Sequence, residues 1–187
     1  MLTRRHMIGA LGALPATLSL PARAEDREVI DARVRLAIQK MYKEIANTKR
    51  LASRARGMLV MPEVVKGGFL VGGSYGEGAL MLNRGGAYDL PAAGYYSVAA
   101  ASFGLQAGVQ TTSHALFFMT DQGLEDFRRA DGWEVGADAE VTFPEAGLNA
   151  QLNSTLLEKP IIGVVFGQDG FLVGASLEGA KYSIIVR

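Results

Sequence analysis

The chain has 187 residues, enough for one domain, with 19 basic and 19 acidic side chains and a formal net charge of zero. It holds no cysteine and two histidines, His6 and His114, which excludes disulfides, thiolate metal sites, a cysteine nucleophile and most histidine-based metal chemistry. Hydrophobic residues at 49% are enough for a full core, and glycine, at 23 residues, is the compositional outlier.

Residues 1–24 have the pattern of an export signal. Arg4 and Arg5 form a charged start, Met7 to Leu20 is an apolar stretch softened by Gly9, Gly12 and Pro15, and Ala22-Arg23-Ala24 is a small-residue cleavage site. The adjacent arginines of Thr3-Arg4-Arg5-His6-Met7-Ile8 point to the twin-arginine route; an ordinary secretory signal is the other reading. The apolar run is too short and too broken to span a bilayer. The expectation is a periplasmic or exported protein, cleaved near Ala24, with residues 25–187 forming a single domain that is soluble or peripheral to a membrane.

Residues 28–56 carry a helical repeat, with Ile30, Val34, Ala37, Ile38, Met41, Tyr42, Ile45 and Ala52 on one side. Asn47-Thr48 is a candidate break between two helices, and Gly57 a candidate C-terminal cap. Beyond Gly57 the pattern becomes strand-like. Met58–Met61 is expected to end at Pro62; Phe69–Ser74 and Ala79–Leu82 flank a glycine-rich corner; Arg84-Gly85-Gly86 is a turn. Tyr95–Ala101, Leu105–Thr111 and Ala115–Met119 are further strand candidates. Thr120-Asp121 opens a short helix near 122–130 that points Leu124 and Phe127 inward. Trp133–Phe143 alternates as a half-buried strand, residues 144–160 are mostly loop, and Ile161–Phe166, Phe171–Ser176 and Tyr182–Val186 are terminal strands, with a turn at Gln168-Asp169-Gly170. Phe69-Leu70-Val71-Gly72-Gly73-Ser74 is echoed by Phe171-Leu172-Val173-Gly174-Ala175-Ser176, and Glu77-Gly78-Ala79 by Glu178-Gly179-Ala180. The extra residue in the first copy suggests a bulge at Gly76. The fold class that follows is α+β: a strongly bent antiparallel sheet or small β-barrel with the N-terminal helices packed against it.

Catalytic motifs are weak. The run Gly72-Gly73-Ser74-Tyr75-Gly76-Glu77-Gly78 lacks the Lys-Ser/Thr and the following helix of a phosphate loop, and Glu77 would repel an anion. Glycines in strands are better explained by tight bends and close backbone approach. A Ser-His-Asp site would have to use His114, which directly follows Ser113, and no Gly-x-Ser-x-Gly is present. His114 is expected at a turn or strand edge; a deep polar pocket around it would reopen the question. The acidic pairs Asp121 with Glu125 and Asp126 with Asp131 suit capping and helix solvation. Glu77 and Glu178, at matching places in the echo, suit turn stabilisation, with pairing across a pseudo-twofold axis as the other reading. No catalytic residue, metal or cofactor is expected.

The charge pattern is more informative. Residues 25–32 have one basic and four acidic side chains, net −3; residues 33–56 have eight and one, net +7; residues 57–187 have seven and fourteen, net −7. On an unbroken helix Arg33, Lys40, Lys43, Arg50 and Arg54 share one arc beside the apolar stripe, the pattern of a helix that lies on an anionic surface. Each cation near anionic lipid contributes about 1 kcal/mol. The other reading is a basic helix neutralised by its own acidic body.

Several ordered motifs resemble the SYLF domain family: Ala55-Arg56-Gly57-Met58-Leu59-Val60-Met61-Pro62, Val65-Lys66-Gly67-Gly68-Phe69, Gly72 through Leu80, Ser102-Phe103-Gly104-Leu105-Gln106-Ala107-Gly108, Phe117 through Asp121, Asp131-Gly132-Trp133-Glu134-Val135-Gly136, Val165 through Gln168, and Ser176-Leu177-Glu178-Gly179. The resemblance spans roughly residues 30–187. It implies a lipid-binding domain whose N-terminal basic, amphipathic part contacts lipid; eukaryotic members are associated with phosphoinositide membranes and fungal ones with actin. An exported protein would meet neither, so the expectation stops at anionic phospholipid or another amphiphile, bound through Arg33, Lys40, Lys43, Arg50 and Arg54. A structural or protein-interaction factor of the cell envelope is the alternative.

Overall fold

The computed structural model describes residues 26–88, 90–138, 141, 157–167, 177 and 179–186. The export segment, the strand expected at Phe171–Ser176, the turn at Gln168-Asp169-Gly170, Glu178 and most of residues 139–156 lie outside them.

Two helices open the described chain, α1 (Arg27–Glu44) and α2 (Thr48–Arg54). The expected break falls where Asn47 takes a left-handed conformation, φ 67°, which asparagine tolerates better than most residues. Thr48, fully buried, donates its hydroxyl to the Ile45 carbonyl at 2.7 Å and so seals the corner. Gly57 does not cap α2, as the sequence suggested. Ala55 ends that helix, and Gly57 begins β1 (Gly57–Arg84) because Arg56 N already bonds the Phe118 carbonyl at 2.7 Å.

The strands then run longer than the sequence predicts. β1 and β3 (Gly94–Phe118) pair antiparallel along nearly their whole lengths, joined through β2 (Ala87–Tyr88). Pro62 does not stop β1. It sits in a bulge, with Pro62 and Glu63 facing Ser113 alone, where a missing N–H costs no ladder bond. Register is unbroken through Gly76, so the bulge expected there is absent; a second irregularity falls between Gly68 and Leu70.

Gly76 and Gly78 have a different role. A Cβ on Gly76 would lie 2.6 Å from the Glu63 carbonyl oxygen, and one on Gly78 would run into the Val60 carbonyl and Met61. The two halves of β1 therefore fold back against each other in backbone contact, and Asn83 N reaches the Arg56 carbonyl at 2.9 Å. The bend makes the sheet an antiparallel half-barrel with α1 packed against β1, as the α+β expectation had it.

The helix α3 (Asp121–Arg129) starts at Thr120, whose hydroxyl accepts from Gly123 N at 3.1 Å. Trp133–Phe143 is not one strand. β4 is only Trp133–Glu134, because the chain turns at Gly136 (φ 91°) and the Asp138 carboxylate accepts from Glu134 N at 2.6 Å. β5 (Ile161–Phe166) and β6 (Lys181–Ile185) both pair with β3, giving the order β2-β1-β3-β6-β4 with β5 alongside β3.

Strand alternation feeds two cores. Met58, Val60, Ala79, Met81, Ala115 and Phe117 face α1 and α2; Leu59, Met61, Leu80, Leu116 and Phe118 face α3 and Trp133.

Candidate lipid-contacting helix

The apolar stripe of α1 is real: Ile30, Val34, Ala37 and Met41 are buried on the sheet, with Ile38, Tyr42 and Ile45 packed at the margin. Seating that stripe fixes what the other faces present. Positions 29, 33, 36, 40 and 43 follow helical spacing along the outer surface, so Val29, Arg33, Leu36, Lys40 and Lys43 form one ridge. Leu36 is 66% exposed and Val29 41%. Both are apolar side chains set among cations, a pattern the sequence reading missed. Its signal was present: Leu36 keeps step with Arg33 and Lys40 and falls off the buried stripe.

The five predicted contact residues divide into two groups. Arg33, Lys40 and Lys43 share the α1 ridge, whereas the break at Asn47 puts Arg50 and Arg54 on α2, so the arc drawn on an unbroken helix does not apply. All but Arg33 are exposed. Arg33 reaches Glu63 of the sheet at 3.3 Å, and Lys40 lies 3.8 Å from Glu44. These pairs are open to solvent and so are weak. Among the described residues Lys43, Arg50 and Arg54 make no ion pair, whereas Arg33 is tied to the acidic body through Glu63.

Behind the ridge, α1 and the β1–β2 turn enclose an open groove of about 380 Å³, lined by Arg35, Ile38, Gln39, Tyr42, Met58, Met81, Tyr88 and Leu90. Gly85 and Gly86, at φ 68° and 94°, make the tight turn that closes one end. Burial pushes the Tyr42 and Tyr88 hydroxyls above their ordinary range, so both are neutral, and Tyr88 donates to the Ala52 carbonyl at 2.6 Å.

The other candidates resolve as structure. His114 is not at a turn or an edge. It is central in β3, between Met61 of β1 and Val165 of β5, and 1% exposed. Its Nε2 lies 2.7 Å from the Tyr182 hydroxyl, Nδ1 has no partner, and burial lowers its pKa to about 3. Ser113 points to the opposite face and donates to the Pro62 carbonyl at 2.5 Å, so the two neighbours do not form a dyad. Asp121 pairs with Arg56, Glu125 with Arg129, and Asp126 accepts from Gln122, all consistent with helix solvation. Glu77 accepts from the Tyr75 hydroxyl at 2.7 Å. No cluster that could hold a metal occurs among the described residues, and none of their helices is long and apolar enough to cross a membrane.

The fold is a bent antiparallel half-barrel carrying a basic N-terminal helix. Residues 99–185 match the family model Ysc84, described as a Las17-binding protein actin regulator. That stretch is similar to the Ysc84 (SYLF) domain family, which is associated with lipid binding and actin regulation and whose members are generally non-catalytic. The matched residues begin in β3 and do not include α1 or α2. No curated protein matches the chain.

Proposed function

We propose that the protein is an exported, periplasmic lipid-binding domain that engages anionic phospholipid through α1 and performs no catalysis. The observation that carries this reading is the outer ridge of α1, where exposed Val29 and Leu36 alternate with Arg33, Lys40 and Lys43. Cations draw the helix to anionic headgroups, and the apolar side chains between them enter the headgroup–acyl boundary. The bridges from Arg33 to Glu63 and from Lys40 to Glu44 are exposed enough to exchange for phosphate at little cost. Arg50 and Arg54, exposed on α2, add long-range attraction without sharing the ridge.

Flotation with phosphatidylglycerol vesicles tests it. The mature chain is expected to float with anionic vesicles at low salt, to be released as salt screens the attraction, and to ignore phosphatidylcholine. Replacing Arg33, Lys40 and Lys43 with Ser removes about 1 kcal/mol per cation, roughly a hundredfold in affinity. Unchanged flotation of that variant refutes the mechanism. A stable envelope-protein partner with no vesicle binding at any salt would favour the protein-interaction reading instead.

A further inference from the structure

We propose that the groove between α1 and the β1–β2 turn is a binding site for one long-chain, singly acylated anionic amphiphile, a site distinct from the membrane-facing ridge. Two features single out that ligand class. Much of the lining is apolar, with Ile38 and Leu90 half-buried at its walls, the rings of Tyr42 and Tyr88 beside them, and the buried Met58 and Met81 forming its floor. At about 380 Å³ it lies near the lower end of ligand pockets, roughly 300–1,000 Å³, which suits one chain and not two. Among the described residues Arg35 alone brings a charge to the lining; it is exposed and has no ion-pair partner among them. A chain laid along Ile38, Tyr42 and Leu90 with its head at Arg35 would give that guanidinium a carboxylate or phosphate to pair with bidentately. The acidic residues that answer Arg33 and Lys40, Glu63 and Glu44, do not line the groove.

The titration is done in the absence of any bilayer, so its failure leaves the vesicle result standing, and the reverse. Cis-parinarate, a long-chain polyene carboxylate whose emission rises in apolar surroundings, is added to the mature chain below its micelle threshold and displaced with oleate, lysophosphatidylglycerol or oleyl alcohol. Saturable enhancement is expected, displaced by the anions more strongly than by the alcohol. Displacement by oleate alone identifies a carboxylate ligand; displacement by lysophosphatidylglycerol as well admits a phosphate head. Arg35→Gln weakens the anions about tenfold and leaves the alcohol unchanged. Gln39→Trp, at an exposed position on the rim, fills the mouth without touching the core and weakens all of them. No enhancement, equal displacement by alcohol and acid, or an unchanged profile in Gln39→Trp overturns the proposal.

Discussion

α1 and α3 lie on opposite faces of one sheet and bury apolar stripes of the same kind, yet their outer surfaces differ. α3 places Leu124 and Phe127 among Tyr96, Phe118, Trp133 and Tyr182, with ring centroids of Phe127 between 4.8 and 6.2 Å from its four aromatic neighbours. Most of its exposed charges have local partners, Arg129 with Glu125, Asp121 with Arg56 and Asp126 with Gln122, and its last-turn arginines, Arg128 without an ion pair among the described residues, suit the negative end of the helix dipole. None of the large exposed hydrophobic residues described lies on it. α1 leaves Leu36 and Val29 in water, Lys43 unpaired, and a groove at its flank. Stability accounts for the sequence of α3; it does not account for the outer half of α1. On the proposed reading, α1 is the working surface and the α3 face its support.

If so, damage on the α3 side should change stability, and damage on the α1 ridge should change binding. The largest effect is acid loss of the α3 face. His114 titrates at 6.5 when unfolded and near 3 when folded, because its burial disfavours the charged form. The unfolded chain therefore binds the extra proton first. The stability is fully present above pH 6.5 and is lost as pH falls toward 3, by a total of the order of 5 kcal/mol. Urea unfolding at pH 7.5, 5 and 4 should show that slope, and His114→Phe should flatten it; equal slopes in both chains would remove His114 as the cause.

Phe127→Ala comes next. It empties the centre of the aromatic cluster and is expected to cost about 3–5 kcal/mol, measured by thermal or urea unfolding. Under conditions where the variant remains folded, its vesicle binding should match the parent. Leu36→Ser reverses the pattern. An exposed side chain contributes little to folding, so stability should change by under about 0.5 kcal/mol, while vesicle association weakens roughly tenfold as about 1.5 kcal/mol of apolar insertion is lost. A stability loss in Leu36→Ser comparable to that of Phe127→Ala would erase the distinction between the two helices.

Local chemistry explains what could be read in advance. The corner at Asn47-Thr48, the Thr120 cap and the Gly85-Gly86 turn are each decided by a few adjacent residues, and each is where the sequence placed it. Sequence alone makes the strands too short, because glycine and proline locally favour breaks. Pro62 is absorbed by a bulge against Ser113, and Gly76 and Gly78 are needed where β1 meets itself, and both partners are remote in sequence. The site was half legible. Counting charges finds the basic helix, but only the seating of Ile30, Val34, Ala37 and Met41 on the sheet reveals that Leu36 faces water and that Arg35 overlooks a groove.

A finer comparison asks whether α2 belongs with α1 or with the supporting sheet. Asn83, near the end of β1, donates through Nδ2 to the carbonyls of Ala55, Ala52 and Ser53 at 2.8, 3.2 and 3.3 Å, and accepts through Oδ1 from Gly86 N at 2.7 Å. One side chain thus satisfies carbonyls that the C-terminal end of α2 leaves open and holds the turn beside the groove. Asn83→Asp keeps the acceptor for Gly86 and replaces the donor with a group that repels those carbonyls; Asn83→Ala removes both. Each should cost about 1–2 kcal/mol. Hydrogen exchange should quicken through Thr48–Arg54 in both variants, and at the Gly85-Gly86 turn in Asn83→Ala alone. If vesicle binding falls with the loosening of α2, its cations Arg50 and Arg54 act from a fixed position and extend the α1 surface. If binding is untouched while exchange rises, α2 serves the sheet, and contact with lipid rests on the α1 ridge alone.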